Sequence, residues 1–413
     1  MDPVIASFCR FLDASPTPWH AAATAAKALS AAGLVSVDPA NPWPACPDGG
    51  FLAQGGTVIA WRPGTQSADD AGFRLIAAHT DSPNLRLKPQ PVQRGHGLVR
   101  LGVEVYGGVI LATWADRDLG LAGLVHLRGG RTVQVDLRRP LCRIPNLAIH
   151  LNRTVNDDGL KLNPQTMLPA VLSLDVDGPD PLKALLAAEV GAGVDDVLTW
   201  DLCLVDVAPA TISGADGAFL HSGRLDNLAM SHAALEAFLT ASRGNATAVI
   251  ALFDHEEIGS HTSRGADSNL LERTLARLAA DPARALARSA LLSADMAHAV
   301  HPAWPDKHEP HHMPRLGGGP VIKQNASWRY ATEGAAAARF AELAEGVGVK
   351  PQWFVTRSDL ACGSTVGPIV AARLGVPTVD IGNPMLSMHS AREMAAVADH
   401  APMIRVMARW FSS

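Results

Sequence analysis

The chain has 413 residues, of which 47% are hydrophobic and 18% are charged. These proportions are typical of a globular protein with a large core, and the length suffices for two to three domains of about 150 residues each. Lysine and arginine number 35 against 40 aspartate and glutamate residues, so the formal net charge of −5 provides no basic field that would attract nucleic acid.

Cysteine usage and the N-terminal residues favour a reducing, cytoplasmic compartment. The five cysteines are far apart and form no CxxC pair, which argues against a disulfide framework and against a thiolate zinc site. No basic segment followed by an apolar run opens the chain, so we expect no signal peptide. We expect no membrane partner either, because no stretch reaches the roughly 18 uninterrupted apolar residues of a membrane span.

The first part of the chain predicts two helices followed by two strands. Residues 4–14 have an amphipathic helical pattern, and Thr17 is suited to begin a second helix that Gly33 ends. Apolar runs at 57–62 and 73–78 are typical of strands.

Between residues 91 and 220 the pattern changes to short apolar runs separated by glycine pairs. The runs at 98–106, 123–127 and 132–137 come with few helix signals, which predicts a small antiparallel β-barrel or sandwich. Residues 152–168 predict a long loop on this unit.

After residue 221 helices and strands alternate again. Strands are predicted at 248–253, 290–294, 353–356 and 377–381, and helices at 226–241, 268–289, 333–345, 365–374 and 391–410. Such alternation predicts an α/β fold with a mostly parallel sheet and helices on both faces. The simplest architecture is a discontinuous α/β domain, 1–90 and 221–413, with 91–220 inserted as a β domain.

Acidic and histidine side chains follow the ends of four predicted strands, and one more carboxylate begins a helix. They are His79 and Asp81, Glu256 and Glu257, Asp295, His389, and Asp226. Ligands of an open α/β sheet bind beyond the carboxyl ends of its strands, so we expect these side chains to meet. One such residue alone is usually a surface charge, but this set indicates a site, and histidine with carboxylates suits zinc, manganese or cobalt.

The spacing within this set suggests separate roles. His79 and Asp81 share a face of extended backbone, so one can bind a metal while the other orients it. Glu256 and Glu257 are adjacent and diverge, so one can bind a metal while the other acts as a base.

Short motifs spread along the whole chain carry a resemblance to a known family. They lie at 14–20, 78–83, 114–117 with 121–123, 143–150, 254–260, 293–302, 319–323 and 388–393. Through them the chain resembles the M18 family of metallo-aminopeptidases, the aspartyl aminopeptidases. One departure is Ala361, which stands where the family usually has a proline before the cysteine, here Cys362; no expected ligand is lost.

The resemblance implies a zinc-peptidase type of fold, an inserted β domain that mediates dimerisation, and two divalent metal ions per subunit. His79, Asp226 and Asp295 would hold one ion, and Asp226, Glu257 and His389 the other, with Asp226 as the bridge. Zinc is the expected metal, with cobalt or manganese as alternatives. Family members often have a cis peptide bond directly after the bridging aspartate.

The resemblance also implies an activity, the removal of N-terminal residues, preferably Asp or Glu, from peptides. Glu256 would act as the general base, and Asp81 would orient His79. Lys323 would reach the acidic side chain of the substrate in a pocket lined by Tyr330.

Subunit assembly is a further implication. His150, in the inserted domain, would approach the active site of a neighbouring subunit. Six dimers would form a tetrahedral dodecamer whose active sites face its interior.

Other functions fit parts of the pattern. Another binuclear metallohydrolase, such as a deacylase or a broad-specificity aminopeptidase, would use the same ligands with a different pocket. A non-enzymatic, self-assembling shell protein would need neither Glu256 nor the ligands. The histidine-rich loop 298–312 fits either a wall of the substrate cleft or a separate metal-binding tract.

Overall fold

The computed structural model describes residues 2–413, which form two compact units. The first unit contains the chain up to Asp81 together with Ala210–Met388 and Glu393–Ser413. The second unit contains Ser82–Pro209 and the short segment His389–Arg392. Among the described residues, no helix combines the length and apolar character needed to cross a bilayer.

The helices begin where capping chemistry favours them. The Asp2 carboxylate accepts the Val4 N–H at the start of the first helix, and Asp180 accepts two N–H groups at the start of another. The α-helices of residues 2–413 are α1 (Pro3–Ala14), α2 (Pro18–Ala31), α3 (Ala68–Ala71), α4 (Val155–Asp158), α5 (Pro181–Val190), α6 (Leu225–Thr240), α7 (Leu270–Ala276), α8 (Pro282–Leu286), α9 (Gly334–Glu345), α10 (Val366–Leu374) and α11 (Val397–Phe411).

The strands form three sheets. They are β1 (Val35–Ser36), β2 (Gly50–Gln54), β3 (Thr57–Arg62), β4 (Phe73–His79), β5 (Asn84–Gly95), β6 (Leu98–Tyr106), β7 (Leu119–Leu127), β8 (Thr132–Cys142), β9 (Ala170–Leu174), β10 (Val197–Asp206), β11 (Thr211–Ser213), β12 (Phe219–Ser222), β13 (Thr247–Phe253), β14 (Ala290–Ala294), β15 (Ala297–His298), β16 (Val321–Gln324), β17 (Gln352–Val355), β18 (Thr378–Gly382), β19 (Pro384–Leu386) and β20 (Glu393–Ala396).

A nine-stranded sheet is the centre of the first unit, with the order β1-β2-β3-β13-β4-β14-β18-β16-β17. Its central strands β13, β4, β14 and β18 run parallel, so their carboxyl ends lie along one edge. In this register His79, the last residue of β4, is paired with Phe253, the last residue of β13. The side chains that follow these strands therefore emerge together.

Helices cover both faces of this sheet, as the alternating pattern predicts. Ile250 and Leu252 of β13 belong to a buried cluster with α1, α2, α6, α9 and α11. Val249 and Ala251, on the opposite face of the same strand, pack with α7, α8 and α10. Alternate residues of one strand thus serve two hydrophobic cores, which explains the nearly continuous apolar sequence of β13. A smaller five-stranded sheet, β11-β12-β20-β19-β15, completes the unit.

The second unit is built on a six-stranded antiparallel sheet with the order β8-β7-β10-β5-β6-β9. Its outermost strands also approach each other, because Arg143, directly after β8, exchanges backbone hydrogen bonds of 3.0 and 2.7 Å with Val171 of β9. Leu121 and Leu202 belong to its core, and Leu186 of α5 packs in the same cluster.

The division between the units differs from the predicted boundaries. It falls at 81/82 and 209/210 instead of 90/91 and 220/221. β5 already pairs within the six-stranded sheet from Asn84 onward, whereas β11 and β12 pair in the sheet that contains β20. The assignment of 389–392 to the second unit was not predicted either.

Several local predictions also need correction. The helix predicted at 391–410 begins only at Val397, because residues 393–396 pair with β12 and β19 as a strand. The helix predicted at 268–289 is two short helices, with Asp281 capping the second one at Pro282. α5 and β16 were not predicted at all.

Candidate active site

The predicted ligands of the first ion converge around one imidazole. His79 is buried, and its Nε2 lies 3.5 Å from Asp226 Oδ1 and 3.5 Å from Asp295 Oδ1. One ligand atom from each of the three residues lies within 4.8 Å of the others. Glu256 is next to this group, with Oε2 3.9 Å from His79 Nε2.

The fold explains why residues so distant in sequence meet here. His79 ends β4, and Asp295 directly follows β14, where its N–H donates to the Ile381 carbonyl at 2.9 Å. Asp226 lies at the start of α6, after Arg224 in a left-handed conformation. The Asp226–Asn227 peptide bond is cis, as the resemblance predicts.

Asp81 contacts both halves of the site. The Nδ1 atom of His79 lies 3.0 Å from the Asp81 backbone carbonyl and 3.4 Å from its Oδ1. The same carboxylate accepts the backbone N–H groups of Glu256 and Glu257, each at 3.1 Å. Asp81 therefore lies beside the imidazole that we predict it to orient, and it also accepts two N–H groups of the turn that carries the two glutamates, which was not predicted.

The glutamate pair is held in a sharp turn after β13. His255 is in a left-handed conformation with φ of 66°, and Glu256–Ile258 form a single 3-10 turn. His79, Glu256 and Glu257 form another group whose ligand atoms lie within 4.8 Å of one another. Both glutamates are therefore within reach of a cation at His79.

The buried carboxylates of the cluster repel one another. Burial raises the pKa of Glu256 to about 8, although His79 lowers it, and the nearby aspartates raise it further. Burial also raises the pKa of Glu257 well above its ordinary value, with Asp226 as the next cause. Burial lowers the pKa of His79, but its contacts with Asp226 and Asp295 outweigh that effect and raise it well above the ordinary value. A positive charge would relieve this crowding of carboxylates.

The side chains fit a divalent metal. Two ligands of a tetrahedral zinc ion with bonds of about 2.0–2.1 Å lie about 3.3 Å apart, close to the 3.5 Å from His79 Nε2 to each aspartate oxygen. Within residues 2–413, the buried Oδ1 of Asp295 has no hydrogen-bond partner. An imidazole with carboxylates is a donor set that zinc accepts readily.

His389, the remaining predicted ligand, lies in the segment that belongs to the second unit. It has a positive φ of 68°. Its Nδ1 faces the Gly108 carbonyl at 2.9 Å, and its own carbonyl accepts the Ile110 N–H at 3.1 Å. The imidazole is therefore oriented through Nδ1, and its role as a metal ligand stays a prediction.

The predicted substrate residues Lys323 and Tyr330 lie beside Asp295. Lys323 is only 1% exposed, and its ammonium donates to the carbonyls of Asp295 and Met296 at 2.9 and 3.2 Å. The same Nζ lies 3.7 Å from Asp295 Oδ2 and 5.1 Å from the centre of the Tyr330 ring. His150, by contrast, is exposed in a one-turn helix of the second unit.

A pocket of about 320 Å³ adjoins Tyr330 in the first unit. Its wall includes three members of the histidine-rich loop, His298, His301 and His308, together with Cys362. This position fits the cleft-wall interpretation of the loop.

Sequence reasoning did not identify three residues that form hydrogen bonds with the backbone at or next to the predicted ligands. Glu393 is buried, and its Oε2 accepts the backbone N–H of Asp226 at 3.1 Å. The Ser231 hydroxyl donates to the His79 carbonyl at 2.7 Å, and Asn227 Nδ2 donates to the Ala294 carbonyl at 2.8 Å. The sequence offers only a weak indication of such residues, namely a polar residue within an otherwise apolar helix or strand.

Comparisons with known proteins now identify the family. The model of the family described as "Aminopeptidase I zinc metalloprotease (M18)" matches residues 11–411. The chain belongs to the M18 family. The "Probable M18 family aminopeptidase 2" of Streptomyces avermitilis is 45% identical over 401 residues, which is 94% of this chain and 93% of that protein.

Solved structures agree with this assignment of the M18 chain. A chain in a cryo-EM structure of the Ape4 and Nbr1 complex superposes with a TM-score of 0.94 at 36% identity, covering 99% of this chain and 85% of that one. A chain of the S. cerevisiae mApe1 dodecamer gives a TM-score of 0.85 at 26% identity, covering 99% and 96%. The predicted family and the predicted class of enzyme, a metallo-aminopeptidase, are confirmed, as is a mixed α/β fold with large sheets.

Proposed function

We propose that this M18 aminopeptidase removes N-terminal aspartate or glutamate from peptides, using two zinc ions per subunit. The observation that carries the proposal is the buried Lys323 ammonium 3.7 Å from Oδ2 of Asp295, because it places a fixed positive charge directly beside a metal-ligand cluster. A buried ammonium opposite a substrate carboxylate forms a charge-assisted hydrogen bond, which an uncharged side chain cannot replace.

The metal-binding residues follow from the cluster and from the resemblance. His79, Asp226 and Asp295 would hold one ion, and Asp226, Glu257 and His389 the other. When bound, the ions supply Lewis-acid polarisation of the scissile carbonyl and lower the pKa of water. Cobalt or manganese would suit the same donors.

Glu256 is the base in this proposal. Its carboxylate faces the cluster without being needed as a ligand, so it can take a proton from the attacking water and later give it to the leaving amine. Asp81 holds the backbone of Glu256 at 3.1 Å, which fixes the position of that proton transfer. Tyr330, whose ring lies against Lys323, would border the space for the acidic side chain.

The inserted domain would mediate assembly. We propose that residues 91–220, predicted as a small barrel or sandwich, form a dimerisation domain, and that six dimers build a tetrahedral dodecamer like the dodecamer of mApe1. Leu147 and Leu151, on either side of His150, are 58% and 74% exposed, which supports burial of this segment against a second subunit. His150 would then reach a neighbouring active site.

The decisive experiment compares Asp-, Glu- and Leu-anilides with N-acyl amino acids, using protein supplied with zinc, cobalt or manganese. We expect metal-dependent turnover of the anilides with the highest kcat/KM for Asp and Glu. Native mass spectrometry should give about twelve times the chain mass of 43.4 kDa. Hydrolysis of N-acyl substrates alone would instead indicate a deacylase, and equal kcat/KM for Leu and Asp a broad-specificity aminopeptidase.

A further inference from the structure

Asp380 is a fully buried carboxylate in the middle of β18, and the site described so far does not use it. Its Oδ1 accepts the hydroxyls of Ser293 and Thr365 at 2.5 and 2.7 Å. Its Oδ2 accepts the backbone N–H of Ala331 at 2.5 Å. A buried charge is costly unless it is hydrogen-bonded, so three donors on one carboxylate indicate that its position matters.

The contacts of Asp380 lead to both predicted specificity residues. Ala331, whose N–H it accepts, directly follows Tyr330. The N–H of Asp380 donates to the Thr332 hydroxyl at 3.0 Å, and this hydroxyl donates in turn to the Lys323 carbonyl. Lys323 and Asp380 are also opposite partners in the antiparallel pair of β16 and β18. One side chain and its backbone thus join the strand of Lys323 to the segment of Tyr330.

The surroundings leave the carboxylate no room to move. A Cβ atom at Gly367, in the first turn of α10, would lie 2.5 Å from Asp380 Oδ2 and 2.6 Å from the Ser293 hydroxyl. Thr365 caps the same helix by accepting the Gly367 N–H at 3.1 Å. The backbone of α10 therefore packs directly against the Asp380 carboxylate.

We propose that Asp380 is a positioning residue for substrate specificity, which fixes the 330–332 segment against Lys323 so that Lys323 and Tyr330 meet an acidic substrate side chain in one geometry. The inference rests on the proposed preference for N-terminal Asp and Glu. The hydrogen bonds of the Asp380 carboxylate run to Ser293, Thr365 and Ala331 and not to the predicted metal ligands, so its effect should be on selectivity instead of metal binding.

Two variants test this role. In Asp380→Asn, either the amide NH2 would face the Ala331 N–H, or it would replace Oδ1 and deprive both hydroxyl donors of their acceptor, so the segment must shift. Thr332→Val removes a single hydroxyl from the connection at nearly constant shape. Thr378→Val is the matched control, because Thr378 is a buried threonine of the same strand whose hydroxyl donates only to the local Val376 carbonyl at 2.9 Å.

The assay measures kcat and KM for Asp- and Leu-anilides on the full-length, zinc-supplied protein, with zinc content determined in parallel. For Asp380→Asn and Thr332→Val we expect the Asp-to-Leu ratio of kcat/KM to fall by about tenfold, the scale of a buried hydrogen-bonding group left without its partner. The fall should come from a higher KM for the Asp substrate, while kcat/KM for the Leu substrate and the zinc content stay unchanged. The Thr378→Val control should keep the Asp-to-Leu ratio of the unmodified protein. In a Lys323→Met background, Asp380→Asn should cause no further fall in the ratio.

Distinct results would overturn the inference and the function on which it rests. Equal kcat/KM for both substrates in the unmodified protein would overturn the acidic preference itself. A clear preference that survives in Asp380→Asn and Thr332→Val would overturn only the role of Asp380. Equal losses on both substrates, or loss of zinc, would assign Asp380 to general stability and would also overturn the inference. If Asp380→Asn does not fold, the Asp-to-Leu ratio of kcat/KM in Thr332→Val decides whether the inference stands.

Discussion

A buried histidine pair behind the active site should make folding sensitive to acid. His232 of α6 and His400 of α11 share a hydrogen bond of 2.8 Å between Nδ1 and Nε2, and His400 stacks on Phe8 with ring centres 4.0 Å apart. Nε2 of His232 lies 3.4 Å from Glu236 Oε1 and 3.3 Å from the Ser7 hydroxyl. A proton on that nitrogen leaves Nδ1 of His232 as the acceptor and Nε2–H of His400 as the donor.

This arrangement leaves Nδ1 of His400 unprotonated. Within residues 2–413 this buried atom has no hydrogen-bond partner, so a second proton there would find no acceptor. Burial, and then the nearness of His232, hold the pKa of His400 well below its ordinary value of 6.5. Burial likewise lowers the pKa of His232, although Glu236 opposes this.

The sign of the pH effect follows from proton uptake on unfolding. Below pH 6.5 the unfolded chain binds more protons at these imidazoles than the native protein does, so the free energy of unfolding falls as the pH falls. An imidazole that stays neutral in the native protein, as we expect for His400, loses about 1.4 kcal/mol of stabilisation between pH 7.5 and 5.5.

The substitution His400→Phe tests this reasoning. It keeps a ring on Phe8 and removes one titrating group, so the variant should lose about 1.4 kcal/mol less than the unmodified protein between pH 7.5 and 5.5. At pH 7.5 it should be less stable by about 1–3 kcal/mol, because His232 Nδ1 loses its donor. Urea unfolding of both proteins at both pH values, with chelator in every sample to remove metal effects, gives the comparison. Identical pH dependence in the two proteins would refute the argument.

Three further variants and one treatment probe the active site. Glu256→Gln should lower kcat by about 10²–10⁴-fold at unchanged zinc content, measured by anilide turnover and metal analysis, and near-normal turnover would remove Glu256 as the base. Glu393→Gln should weaken zinc binding by about 10–100-fold in a competition titration, because the Asp226 N–H loses its charged acceptor, and unchanged affinity would contradict that role. Lys323→Ala should abolish the preference for Asp over Leu substrates, and a retained preference would place Lys323 outside the pocket. Dialysis against chelator should abolish turnover and added zinc should restore it, whereas full activity without metal would contradict a metal-dependent reaction.

The sequence predicts that the side chains of His79, Asp226, Glu256 and Asp295 come together, because their meeting depends on a simple rule of the fold. The strands that end at His79 and precede Glu256 and Asp295 are strongly apolar, so they are easily recognised, and their parallel arrangement brings the following polar residues together. The family motifs then add the roles of Asp226 and His389.

The supporting contacts could not be predicted because they depend on long-range geometry. Residues 393–396 continue without a break into the helical pattern of α11, and only pairing with β12 and β19 makes them a strand that carries Glu393 to Asp226. The hydrogen bond from the Glu256 N–H to the Asp81 carboxylate likewise depends on the left-handed turn at His255, which no spacing rule indicates. In the sequence, Asp380 is recognisable only as one charged residue within an apolar strand.

The contacts of β20 and α11 make the geometry around His79 and Asp226 depend on the packing of residues 393–411. β20 supplies both the partner strand of β12 and the carboxylate that accepts the Asp226 N–H, and Trp410 near the C-terminus donates to the Leu75 carbonyl of the strand that carries His79 at 3.2 Å. Loss of the packing of 393–411 would therefore remove both of these contacts at once. The arrangement of His79 and Asp226 is in this way coupled to the cooperative folding of the first unit.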